Sequence, residues 1–124
     1  MSIEKASILV VDDDVSFSKS LSLVLGRKGY IVTTAKDGPE ALAKVKKSPF
    51  DTILMDIRMP LMDGVETYKR IKKIRPEAVV VMMTAYVVED LVQEALQEGA
   101  YRIIYKPMDI EKLLTVIERI RETK

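Results

Sequence analysis

The chain has 124 residues, enough for one domain that buries roughly two-thirds of the surface its unfolded form exposes. With 48% hydrophobic and 31% charged residues, and a net charge of +1 from interspersed signs, it reads as globular, with no direct nucleic-acid or membrane-surface partner. It has no cysteine and no histidine, which excludes disulfides, thiolate chemistry, imidazole catalysis and most zinc sites.

The first seven residues lack the apolar core of a signal peptide. No apolar run approaches the ~20 residues of a membrane span, so a cytoplasmic location is expected. Residues 7–11 form a continuous apolar run, Ile8-Leu9-Val10-Val11, that stops at Asp12-Asp13-Asp14. A helix follows, with Phe17, Leu21, Val24 and Leu25 on one stripe. Asp14 and Ser16 are both candidates for its cap, and Gly29 suits a left-handed position past its end. Gly26 in the last turn weakens that end by something like 1 kcal/mol against alanine.

Residues 30–35 are β-branched and aromatic-rich, a second strand. Asp37-Gly38-Pro39 opens a short helix carrying Ala41, Leu42 and Val45, which closes near Ser48-Pro49. The third strand, 52–55, ends in Asp56, and Pro60 stops the run from continuing. Val65, Tyr68, Ile71 and Ile74 line a third helix, ended by Arg75-Pro76. Residues 78–83 form a fourth apolar strand ending at Thr84, and a fourth helix carries Val88, Leu91, Val92, Ala95 and Leu96 as far as Gly99. The fifth strand, 101–105, ends at Lys106-Pro107. The last helix starts near Asp109 and should bury Ile110, Leu113, Leu114, Ile117 and Ile120.

Five strands alternating with five helices, without linker, repeat or low-complexity tract, predict one parallel sheet with right-handed crossovers and helices on both faces, a three-layer α/β/α sandwich. In such sheets chemistry sits outside the carboxyl ends of the strands. Four of the five strand ends carry a polar group there: Asp12-Asp13-Asp14, Asp56, Thr84 and Lys106. Singly, each has an ordinary explanation, Asp14 above all as a helix cap. Together they point to a site.

Carboxylates gathered from two strand ends repel and raise one another's pKa unless a cation is present. An all-oxygen donor set suits a hard ion, Mg²⁺ before Ca²⁺. Lys106 brings an ammonium fit for a phosphate oxygen or for pairing with Asp56, and Thr84 brings a hydroxyl. A carboxylate nucleophile, a divalent metal, a lysine and a hydroxyl form a set for phosphoryl transfer to an aspartate.

These residues carry a family resemblance across essentially the whole chain. ILVVDDD at 8–14, ILMDIRMP at 53–60 followed by Asp63-Gly64, MTAY at 83–86, EGA at 98–100 and YKP at 105–107 resemble, in their order and spacing, the receiver domain of two-component response regulators. The resemblance implies a flavodoxin-like, five-stranded parallel sheet in 2-1-3-4-5 order. Asp56 would be the phosphoacceptor, with Asp12, Asp13, Asp56 and the backbone carbonyl of Arg58 holding Mg²⁺. Thr84 would be the switch hydroxyl and Lys106 the phosphate-contacting lysine, preceding a cis bond to Pro107. The donor would be a sensor histidine kinase or phosphotransfer protein. The output would be a changed association, with a partner or with a second copy, through the face of helix 4, strand 5 and helix 5.

The sequence departs from the family at the switch aromatic, three residues before the lysine, where it has Ile103. Tyr101 and Tyr105 should share its side of the strand by alternation. Either one substitutes, or the switch is altered. Tyr86 reads as a gate on the acceptor or as an exposed loop aromatic. Val87 and Val88, with Val116 off the core stripe, form a candidate partner patch against the plainer reading of scattered surface apolars. The basic residues of helices 3 and 5 read as solvated faces.

A phosphohydrolase using an aspartyl-phosphate normally has a second Asp two residues after the nucleophile, where this chain has Arg58, and a cap domain for which no insertion is long enough. An inert receiver-like module would have lost an acid or the lysine. Neither GxGxxG nor GxxxxGK[ST] follows the first strand, against nucleotide binding. The expectation is therefore a single receiver domain over residues 1–124, without an output domain, that is a phosphoacceptor rather than an enzyme on other substrates.

Overall fold

The alternating pattern becomes, in the computed structural model, β1 (Ser7–Val11), α1 (Val15–Arg27), β2 (Ile31–Ala35), α2 (Gly38–Lys47), β3 (Thr52–Asp56), α3 (Gly64–Ile74), β4 (Val80–Thr84), α4 (Glu89–Gln97), β5 (Arg102–Tyr105) and α5 (Ile110–Glu122). The structure describes residues 6–85 and 89–123. All pairings are parallel and the order is β2-β1-β3-β4-β5, the flavodoxin-like arrangement expected. The strands β1, β3 and β4 read as unbroken apolar runs because helices cover both of their faces.

Side-chain alternation sorts those runs into two cores. Leu9, Val11, Ile53, Met55, Val80 and Met82 join the cluster that contains buried residues of α2, α3 and α4. Their neighbours Ile8, Val10, Leu54, Val81 and Met83 join the one that contains buried residues of α1 and α5. A one-residue slip of any central strand would exchange its two sets, so the register is tightly specified. Each fully buried aliphatic side chain here is worth about 1.5–3 kcal/mol of burial.

Helix starts follow one rule. Asp14, Asp37, Asp63 and Asp109 each accept a hydrogen bond from a backbone N–H in the first turn of the helix they precede. Asp14 rather than Ser16 caps α1, through Phe17 N at 3.0 Å. Gly29 lies at φ 97°, as its place past α1 required.

Several details differ from expectation, and β4 and β5 begin at Val80 and Arg102 rather than at residues 78 and 101. Leu96 is exposed, because at about 100° per residue it falls on the flank of the face formed by Leu91, Val92 and Ala95. Val116 is buried, while Ile110 and Leu114 are only partly so. The buried arc of α5 is centred on Leu113, Ile117 and Ile120, which rotates Val116 inward and removes it from any surface patch. Strand β2 begins at Ile31, and Tyr30 instead packs into the core with its hydroxyl donating to Glu118. Val88, Val87 and Tyr86 lie outside the described residues.

Candidate functional site

Two neighbouring strands set the geometry. Strands β1 and β3 pair with Val11 opposite Met55, so the next residue of each, Asp12 and Asp56, leaves the sheet side by side. The connections from these two strands run to opposite faces, the point where an open α/β sheet forms its crevice. One carboxylate oxygen from each of Asp12, Asp13 and Asp56 lies within 4.8 Å of the others.

The three acids are held differently. Asp12 is 1% exposed. Its backbone N–H donates to Ala35 O at 3.0 Å, and its carboxylate accepts from Asp14 N at 2.9 Å and Lys106 Nζ at 2.6 Å. Asp13 faces solvent. Asp56, the last residue of β3 and 8% exposed, has its Oδ2 3.8 Å from Lys106 Nζ. Burial, then the charge of Asp12, push its carboxyl up to about 6, against the opposing pull of Lys106 and of a backbone hydrogen bond at Arg58. The cluster is therefore under repulsion that a cation would relieve. Its all-oxygen donors and close spacing fit a hard divalent ion of the Mg²⁺ kind.

The loop beyond β3 is pressed against the end of that strand. Ile57 N donates to Met83 O at 2.9 Å, and Gly64 N returns to Ile57 O at 2.7 Å. A Cβ on Gly64 would meet Ile57 Cα at 2.9 Å and come closer still to the Asp56 carbonyl oxygen. Within this loop Leu61 has φ 71° and an exposed side chain.

Thr84 ends β4 fully buried, one residue past the Met83 that pairs with Asp56, and its carbonyl accepts from Lys106 N at 2.8 Å. The Lys106–Pro107 bond is cis, as expected. Arg58 is exposed, at the loop entrance. Ile103 packs partly buried against the α4 side of the sheet, whereas Tyr101 and Tyr105 are largely exposed.

The pairing of Lys106 with Asp56 offered by the sequence is present at 3.8 Å, and the sequence reading missed the closer contact of Lys106 with Asp12 at 2.6 Å. It also treated Phe17 as core stripe alone. The Phe17 ring in fact lies under the Lys106 ammonium, 4.2 Å from ring centroid to Nζ. The available clue was an aromatic three residues after an acidic helix cap.

Fold and site together define an open, doubly wound α/β domain with an acidic pocket beside the Lys106 ammonium at its carboxyl rim. Residues 8–118 match the sequence profile of the response regulator receiver domain. The chain belongs to that family. It is 46% identical over 125 residues to the transcriptional regulatory protein ZraR of Klebsiella oxytoca, covering all of this chain and 28% of that protein. Among solved structures, the chemotaxis protein CheY4 of Vibrio cholerae matches with TM-score 0.87 at 36% identity, covering 94% of this chain and 99% of that one. The CheX–CheY–BeF3–Mg complex of Borrelia burgdorferi matches with TM-score 0.85 at 35% identity, over 93% of this chain and 88% of that one. The chain thus spans little more than a quarter of the ZraR protein it resembles. Among the described residues no helix is long and apolar enough to cross a membrane.

Proposed function

We propose that this receiver domain accepts a phosphoryl group on Asp56 from the phosphohistidine of a sensor histidine kinase or phosphotransfer protein, in a Mg²⁺-dependent reaction. The observation that carries the reading is the convergence of Asp12, Asp13 and Asp56 within 4.8 Å, beside the Lys106 ammonium, where β1 and β3 end.

In the transfer a lone pair of an Asp56 carboxylate oxygen attacks phosphorus. The O–P bond forms as the P–N bond of the donor breaks, and the imidazole nitrogen keeps the electron pair. Asp12, Asp13, Asp56 and the Arg58 backbone carbonyl would hold the ion. Bound Mg²⁺ supplies neutralisation of charge on the reacting oxygens. Lys106, already 3.8 Å from Asp56, needs only a short swing away from Asp12 to meet a phosphoryl oxygen, and the Thr84 hydroxyl approaches from the adjacent strand end.

Output would follow at the face of α4, β5 and α5, by a change in association with a partner or a second copy. Ile103 stands at the usual aromatic position, and both nearby tyrosines are exposed, which supports a response carried by aliphatic repacking. In a longer regulator of the ZraR kind this domain would be the regulated input rather than the nucleic-acid contact.

Acetyl phosphate and Mg²⁺ should give one phosphoryl adduct by intact mass, absent from Asp56→Asn. An adduct that survives in Asp56→Asn overturns the assignment. Rapid multiple-turnover hydrolysis of varied phosphomonoesters would favour a phosphohydrolase instead.

A further inference from the structure

We propose that Phe17 is a positioning residue for phosphoryl transfer, whose ring holds the Lys106 ammonium inside the acidic pocket. The inference rests on the reading of Asp56 as phosphoacceptor and extends it to a residue outside the acid–lysine set.

Lysine carries a strongly hydrated ammonium on a flexible stem, and such a group swings out to water unless something holds it. Here Lys106 is confined at 15% side-chain exposure. Its Nζ lies 2.6 Å from Asp12, 3.8 Å from Asp56, and 4.2 Å from the centroid of the Phe17 ring. Two of its neighbours are thus carboxylates and the third is an aromatic ring.

What stands in that third place decides what the lysine can do. A further carboxylate or carbonyl would accept a hydrogen bond and compete with an incoming phosphoryl oxygen. Open water would let the ammonium leave. A phenyl ring attracts the cation through its quadrupole and accepts no conventional hydrogen bond. It therefore keeps the ammonium beside Asp12 and within reach of Asp56 without competing for its hydrogen bonds.

The acidic run itself sets the ring in place. Asp14 caps α1 by accepting from Phe17 N at 3.0 Å, and Asp14 N in turn donates to Asp12. On the other side, Lys106 N is anchored to Thr84 O at 2.8 Å. Ring and lysine are thus delivered by two backbones that are each tied to the site. Phe17 also packs against the α1–α5 core, so its role must be separated from bulk packing.

A cycle of variants makes that separation. With acetyl phosphate at saturating Mg²⁺, Phe17→Leu should slow phosphorylation of Asp56 by about 5-fold. Phe17→Tyr, which keeps the ring, should retain the wild-type rate. In a Lys106→Ala background, Phe17→Leu should have no further effect. By NMR, the Lys106 ε-methylene protons should be shifted upfield by the ring in the wild type and return to ordinary lysine positions in Phe17→Leu. Thermal melts verify that each variant is folded, and Phe17→Met is a second ring-free replacement.

A wild-type rate in both ring-free variants overturns the inference, as does an equal loss with and without Lys106, which marks a packing role. An unshifted Lys106 in the wild type also overturns it, whatever the reactivity. Failure of wild-type protein to form any adduct overturns instead the reading of Asp56 on which it rests.

Discussion

At the amino end of the sheet, Asp51 accepts hydrogen bonds from the Ser7 backbone amide at 2.7 Å and the Ser7 hydroxyl at 3.2 Å, tying the start of β3 to the start of β1. At the carboxyl end of the same two strands, Asp12, Asp13 and Asp56 crowd one another, and a single lysine is shared between two of them. One end uses a carboxylate to satisfy the backbone. The other buries a carboxylate beside its like-charged neighbours, and burial first, then the charge of Asp12, raises the Asp56 carboxyl to about 6. The same two strands serve stability at one end and, in the function proposed above, phosphoryl transfer at the other, because repulsion left unrelieved in the fold favours the binding of a cation.

The comparison can be broken most severely at Gly64. Alanine is ordinarily the better helix residue by about 1 kcal/mol. At this position its Cβ meets backbone of Asp56 and Ile57, which the sheet holds in place. The clash should dominate, with Gly64→Ala costing about 3 kcal/mol in urea unfolding and slowing adduct formation on the displaced Asp56.

The reactive end should also behave as a stability defect. Folding raises the Asp56 carboxyl from 3.8 to about 6. Between those values the unfolded chain has released a proton that the folded chain keeps, so the stability contributed by this group is fully present below about pH 4 and is lost as pH rises through about 6. The loss is about 3 kcal/mol at most. In chelator, Asp56→Asn should therefore be more stable than wild type at pH 7.5, with the gain disappearing by pH 4. Added Mg²⁺ should narrow the difference at pH 7.5 by stabilising the wild type. Equal melting curves for the two proteins at both pH values would show that the cluster carries no strain.

How much of this was legible beforehand depends on range. The five strands were readable because burial on both faces makes them continuous apolar runs, and Asp56 was conspicuous because it ends one of them. Sequence order also shows that Asp12 and Asp56 leave their strands at carboxyl ends, but not that β1 and β3 are neighbours; that came only through the family resemblance. The buried arc of α5 was misjudged at Val116, since apolar periodicity gives a stripe's width and tertiary packing gives its centre. The preference of Lys106 for Asp12 was illegible for a similar reason. The residues are 94 positions apart, and nothing local ranks Asp12 over Asp56 as partner.

Two adjacent residues sharpen the comparison at the amino end, where the expected effects are smaller. Asp51→Ala should destabilise the protein by about 2 kcal/mol, because the Ser7 amide loses its carboxylate acceptor in a half-buried place. Thr52, the next residue, points the other way. Its hydroxyl is the one buried side-chain polar atom without a hydrogen-bond partner among the described residues. Valine has nearly the same shape and no hydroxyl to desolvate, so Thr52→Val should gain about 1 kcal/mol in thermal or urea unfolding. A loss of that size would mean that a water satisfies the hydroxyl, and the amino end would then be more fully hydrogen-bonded than its direct contacts indicate. A gain would confine structural optimisation there to the backbone tie at Asp51, leaving a polar orphan only one residue along the strand.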